Sequence, residues 1–350
     1  MRKESRGVRR ATRTILSTNQ MSKVLTPLWI TVHAALIIYL HTSAHAAYNF
    51  NSSDNGREPD MNRRFPEHSW YFASLKRRLI LSCDDFDIFS PMDLAFFGVI
   101  ILMALELLSV LVKNGGRLAG SALIPVRAQH LDDLDSKDLL FIGLNKAATP
   151  PFVYILIRYL YFESNAVWDL KEASLMNVIA PLPVIYVVYD FFYTLLHGFL
   201  HIKRIYPYIH KHHHHQKAPS RANVDAVNVH PLEFFLGEYN HLFAVYLCCG
   251  YIGMKIHILS VTIFLGLGGA LASLNHTRFD SSYSICGICL YDSKNHDVHH
   301  RIPQSNYGQY IMLWDYVFGS YRPYDKNERV NPKYQLNPKT GKSLHYVSSK

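Results

Sequence analysis

Eight histidines of this chain recur at helical intervals in three places, and imidazoles arranged in that way can hold metal ions. His197 and His201 stand four apart in DFFYTLLHGFLH. His210, His213 and His214 lie in HKHHHHQKAP, and His296, His299 and His300 lie in NHDVHHR. Neutral imidazole is a good ligand for iron, zinc and copper. One HxxxH is a weak signal, because buried histidines are often satisfied by packing. Two HxxHH groups beside an HxxxH are a strong one, since so many desolvated imidazoles would each need a partner. Eight ligands exceed what one tetrahedral zinc uses, and they suit two metals. Attack on an unactivated C–H bond needs a cofactor that activates O2, and a pair of irons would meet that need. Soluble di-iron bundles use a pair of Glu-x-x-His motifs, and no such pair is present in the sequence.

The spacings also predict local geometry. His197 and His201 share one helix face, with Tyr193 and Asp190 on nearly the same stripe. Asp190 is the expected carboxylate partner of a ligating imidazole. His210, His213 and His214 are expected on one face of a second helix, with His212 and His215 pointing elsewhere. A loose polyhistidine sink is the alternative for that tract. His241 and His257 belong to no motif and read as packing residues. The cysteines are Cys83, Cys248, Cys249, Cys286 and Cys289. An odd number is no disulfide framework, and the lone CxxC at Cys286 and Cys289 reads as small buried residues beside the third histidine cluster.

Apolar elements must position these clusters. Nearly half of the 350 residues are hydrophobic, and charge is excluded from certain stretches, which suits a membrane protein with polar extensions. The basic first 23 residues read as a cytosolic tail, followed by a signal anchor at Val24 to Leu40 within an anchor region over 24–140. Residues 41–91 form a polar loop in which Asn51 begins a glycosylation sequence. Leu94 to Val112 is the clearest span, about 19 residues for a hydrocarbon core roughly 30 Å thick, interrupted by Glu106. Leu139 to Phe162 is a marginal span, with Lys146, Arg158 and a Pro150-Pro151 break. Leu175 to Leu196 is a strong one that Pro181 and Pro183 should kink. Residues 243–274 must return to their starting side if the third cluster is to meet the first two, so a re-entrant or short two-pass hairpin is expected there. The net charge of +9 comes mainly from the two tails, 326–350 being the second, and fits anionic lipid. Nothing in the pattern reads nucleic-acid bases. The fold expected is an all-α integral membrane protein, a transmembrane helical bundle carrying a histidine-rich di-metal helical cap.

DFFYTLLHGFLH, YPYIHKHHHHQKAP, VHPLEF and HDVHH with SNYGQYIMLWDYVFGSYRP together resemble the membrane fatty acid hydroxylase/sterol desaturase superfamily, over about residues 185–325 and within a domain drawn at 141–325. The closing motif looks most like the C-5 sterol desaturase branch, whereas NHTRFD departs from it. The resemblance implies two non-haem irons on the cytosolic side of the endoplasmic reticulum membrane, with zinc an alternative occupant. It implies a sterol or fatty acyl substrate and electrons from NAD(P)H through cytochrome b5 or an equivalent. Carried over by position, the ligands are His197, His201, His210, His213, His214, His296, His299 and His300, with His276 completing the set and His230 as a further ligand. The expected activity is O2-dependent desaturation of a sterol, with a fatty acid or sterol hydroxylase or C-4 methylsterol oxidase as runner-up. A membrane zinc-binding or transport protein is the competing reading, although a transporter would place ligands near the bilayer midplane rather than at span ends.

Overall fold

A computed structural model of the protein describes residues 91–337 and 342–343, apart from 163, 286 and 287. The basic tail, the anchor at 24–40, the Asn51 sequence, Cys83 and Cys286 lie outside the described residues. Helices dominate: α1 (Pro91–Leu118), α2 (Ser136–Phe162), α3 (Leu175–Val178), α4 (Pro181–Leu200), α5 (Asn223–Ala226), α6 (Pro231–Tyr246), α7 (Ile258–Asn275), α8 (Ser293–Arg301) and α9 (Leu313–Phe318). Among the described residues, four stretches are long and apolar enough to cross a membrane: Ala95–Leu118, Ser136–Tyr161, Leu175–Leu200 and Ile258–Asn275. The protein is an all-α membrane protein with a histidine-rich cap. An antiparallel hairpin, β1 (Ser282–Ile285) and β2 (Ile288–Asp292), is a small addition that the helical periodicities did not announce.

Several breaks in the hydrophobic pattern resolve differently from the expectation. α2 runs on through Pro150 and Pro151. The two prolines leave the carbonyls of Lys146 and Ala147 without their helical donors, a loss that a span tolerates where neighbouring helices pack around it. Pro181 does not kink a helix but starts α4, where a first-turn residue needs no N–H. Glu106 and Lys146, each an interruption of its own span, form an ion pair between α1 and α2. The region before the third cluster does turn back. α6 passes into a wide turn at Leu247–Tyr251, Gly253 adopts φ 73°, and α7 brings the chain home. Its outward limb begins at Pro231 rather than near residue 243, and only α7 has the length and composition of a span. The core beneath the cap is aromatic and aliphatic, with Leu156, Leu160, Tyr189, Leu242 and Phe264 buried.

Candidate metal centre

His197 lies in the last turn of α4 and His201 caps that helix. The chain then winds through consecutive turns to a single tight turn at His213–His215, so the second cluster does not sit on one helix face. The reason is geometric. Adjacent helical residues point about 100° apart, and the winding lets His210 and His214 face one way while His213 faces another. His276 caps α7, and His296, His299 and His300 project from the two turns of α8. The side chains converge as two groups whose ligand atoms lie within 4.8 Å of one another: His197, His201, His210, His214 and His299, then His213, His276, His296 and His300. His230 stands apart from both. It caps α6, its Nδ1 accepting from the Leu232 N–H at 3.2 Å, with its ring against Phe141, because the residue before a helix-starting proline is where a cap is needed.

The outer nitrogens are held in a way that decides where the protons sit. His197 Nδ1 faces the Tyr307 carbonyl at 2.7 Å, His299 Nδ1 the Ser305 carbonyl at 2.7 Å, and His276 Nδ1 the Ala272 carbonyl at 2.8 Å. A carbonyl only accepts, so each Nδ1 carries the proton and each Nε2 keeps a bare lone pair. His210 Nδ1 meets the Glu233 carboxylate at 2.7 Å, and His213 Nδ1 points to the Asn228 carbonyl at 3.4 Å. The Nε2 atoms then crowd together: His197 and His210 at 3.0 Å, His213 and His276 at 3.3 Å, His299 and His214 at 3.1 Å, His300 and His296 at 3.0 Å. In the first two pairs both outer nitrogens are engaged, so the lone pairs face each other and repel unless a cation lies between them. The outer nitrogens of His214 and His300 have no partner, which leaves their Nε2 atoms free to carry the proton. His201 Nε2 is also buried without a protein partner. Neutral imidazoles aimed inward by their outer bonds are what a divalent metal needs, and the residues fit one in each group. Burial first, and neighbouring imidazoles second, push His210, His296, His299 and His300 well below the ordinary imidazole value. Burial alone raises the Glu233 carboxyl well above the usual range.

Three residues outside the ligand set position it. Asp190 was the expected partner of His197, but seven residues of helix put it about 10.5 Å away along the axis. Its carboxylate instead accepts from the backbone N–H groups of Gln309, Tyr310 and Ile311 at 2.6–3.3 Å. Asp315 accepts from the N–H groups of Tyr307 and Gly308 at 2.7 and 2.8 Å and from the Ser320 hydroxyl. A Cβ at Gly308 would fall 2.6 Å from the Ile311 carbonyl oxygen, so the turn needs glycine. The SNYGQYIMLWDYVFGSYRP motif is therefore a brace that offers the Tyr307 carbonyl to His197. Asp297, buried in α8, joins Arg278 at 2.6 Å and Arg301 at 3.0 Å, while Arg278 also donates to the carbonyls of Ile124 and Pro125. Glu233 and Arg278 were not singled out in the sequence, although each lies within a quoted motif. His241 is packed against Tyr189 and Phe264, as expected for a residue outside the boxes, and His257 caps α7. Cys289 is exposed on β2 rather than packed beside the third cluster, because the hairpin turns it outward.

Beside the cap, a cavity of about 770 Å³ opens between α1, α4, α7 and the hairpin. Leu111, Leu182, Leu267, Leu271 and Leu274 line it, with Tyr310 at one wall. Leu274 lies two residues before His276, and Tyr310 three after Tyr307, so the same segments shape the cavity and the metal groups.

Residues 182–320 match the family model described as Fatty acid hydroxylase. Among curated proteins, methylsterol monooxygenase 1 of Rattus norvegicus is 31% identical over 141 residues, covering 38% of this chain and 44% of that protein. Lathosterol oxidase of Rattus norvegicus is 27% identical over 156 residues, with 44% and 48% covered. Delta(7)-sterol 5(6)-desaturase of Eremothecium gossypii is 29% identical over 137 residues, with 39% and 36% covered. The chain thus spans about half the length, or less, of these relatives. No solved structure matches it. The matched segment holds all nine converging histidines.

Proposed function

We propose that the protein is an O2-dependent, membrane-bound lipid oxidoreductase whose two histidine groups each hold an iron ion. The carrying observation is the pair of buried imidazole groups with inward, proton-free Nε2 atoms beside a large apolar cavity. Iron bound there supplies the O2 activation that an unactivated C–H bond requires. The chain's own residues supply the rest. Backbone carbonyls and Glu233 fix the imidazole orientations, burial keeps water from the ligands, and the cavity takes an apolar substrate next to the groups. The ligand set proposed is His197, His201, His210, His213, His214, His276, His296, His299 and His300, without His230. The names of the relatives favour a sterol substrate. Desaturation is the leading reading, on the closing motif and the desaturase relatives. Methyl-group oxidation is the second, favoured by the methylsterol monooxygenase match. The two outcomes share the first hydrogen abstraction and part at the substrate radical, so placement of the lipid decides between them. Electrons come from NAD(P)H through cytochrome b5 or a similar carrier, and the groups face the cytosol from the endoplasmic reticulum membrane.

Mass spectrometry of lipids from cells expressing the intact protein or the His299→Ala, His300→Ala variant tests this reading. A product about two mass units lighter marks desaturation, and one about sixteen heavier marks hydroxylation, the masses of H2 and O. Identical lipidomes in cells with a working electron donor and a broad sterol pool, together with bound zinc and no bound iron, would overturn it.

A further inference from the structure

A row of phenols leads away from the five-histidine group. Tyr193 lies one turn before His197 on α4, and the two ring centroids are 5.4 Å apart. Tyr193 stacks on Tyr189 at 5.6 Å with an interplanar angle of 19°. Tyr189 meets Tyr310 at 5.2 Å and 31°. The four-residue spacing of Tyr189, Tyr193 and His197 puts all three rings on one helix face, and the Asp190 carboxylate pins the backbone of Tyr310 against it.

The far end of the row carries a base. The Tyr310 hydroxyl lies 3.4 Å from His241 Nε2, and His241 Nδ1 faces the Gly237 carbonyl at 3.1 Å. The carbonyl accepts, so the proton sits on Nδ1, and Nε2 presents its lone pair to the phenol. Gly268 permits this approach, since a Cβ there would come within 2.8 Å of the Tyr310 hydroxyl oxygen. The neighbouring phenol, Tyr186, has no such outlet, because it donates to the Phe264 carbonyl at 3.0 Å and a carbonyl does not take up a proton. Tyr310 also forms part of the cavity wall. A phenol gives up an electron far more readily when its proton can leave to a base in the same step. Packing alone needs neither the histidine nor its fixed tautomer.

We propose that Tyr310, paired with His241 and connected to His197 through Tyr189 and Tyr193, quenches the metal centre when the cavity holds no oxidisable lipid. This rests on the reading of the histidine groups as an iron centre that reacts with O2. Tyr310 loses one electron, which passes along the rings of Tyr189 and Tyr193 to the centre that O2 has oxidised. Its phenolic proton moves to His241 Nε2, giving an imidazolium and a neutral tyrosyl radical, and the centre is reduced by one electron. An electron from the donor that serves the centre, with the proton returned by His241, restores the phenol.

The test uses the full chain in detergent, loaded with iron, reduced with dithionite and freeze-quenched after mixing with O2 in the absence of lipid. Iron content and O2 uptake are measured on the same sample. Electron paramagnetic resonance is expected to show an organic radical whose hyperfine structure narrows when ring-deuterated tyrosine is incorporated. Tyr310→Phe, with iron and O2 uptake retained, is expected to abolish that signal. Tyr189→Phe, which interrupts the row but leaves the phenol and its base, is expected to do the same and serves should the first variant fold poorly. An undiminished signal in either folded variant overturns the relay. Iron and O2 uptake without any radical in the unaltered chain overturns the relay alone, whereas the absence of iron and O2 uptake overturns the underlying function as well.

Discussion

At the scale of single residues, the site depends on what stands behind each imidazole. Glu233 is the one carboxylate found holding a ligand's outer nitrogen among the described residues. Replacing it with Gln keeps the shape but exchanges the carboxyl acceptor behind His210 for an amide, which makes the imidazole a weaker ligand. Metal affinity should fall by about 10–100-fold, as read by competition with a chelator, while the melting curve changes little; equal affinity would remove Glu233 from the site. The same imidazoles make stability depend on pH. Burial, with neighbouring imidazoles second, holds His214 at about 3 and the others well below their ordinary value. In the unfolded chain they take up protons near pH 6.5, whereas folded they do not. Their folded values are depressed, so the metal-free protein keeps this stability above about pH 6.5 and loses it as pH falls towards the folded values. Thermal unfolding of chelator-stripped protein between about pH 8 and 5 should show the melting temperature dropping below pH 6.5, and a flat profile would contradict the assignment.

At the scale of elements, α8 is locked by ion pairs rather than by apolar packing. Asp297 bridges Arg278, just after α7, to Arg301 in its own helix, and Arg301 reaches Glu328 in the C-terminal segment. Asp297→Asn leaves the buried Arg278 guanidinium without its counter-charge and Arg301 with Glu328 alone, which should cost about 3–5 kcal/mol of stability. Because Arg278 stands two residues from His276, bound metal should fall below the level of the unaltered protein; denaturant titration with metal analysis reads both quantities. The histidine boxes were legible because ligands recur at helical intervals, and the spans were legible because lipid demands unbroken apolar runs. The braces were not. Asp190 acts on residues about 120 positions later, and nothing in local periodicity marks such a partner. The second box misled for a related reason: its i, i+3, i+4 spacing mimics a helix, while the need to serve two groups unwinds it. His230 shows the converse, a histidine in a family motif whose place before a proline makes it a cap.

At the scale of the whole molecule, the spans, the cap and the cavity share their parts. α4 and α7 each end in a histidine of one of the two groups, so any shift of those helices moves a group directly. The orientation proposed for the cap can be checked at Cys289, which is exposed on the hairpin beside the third box. A variant keeping Cys289 as its single cysteine should react with a membrane-impermeant maleimide in sealed microsomes without detergent. Protection that detergent abolishes would place the cap in the lumen. The opposed lone pairs of His197 with His210 and of His213 with His276 have a further consequence, and it concerns the protein's lifetime. Where these lone pairs oppose each other the cap is held against repulsion by its braces, and a bound cation removes that repulsion, so binding energy becomes folding energy. Newly made chains in an iron-starved cell would linger in the loosened form that quality control removes. On the proposed iron reading, the amount of protein would then track the supply of iron without any dedicated sensor.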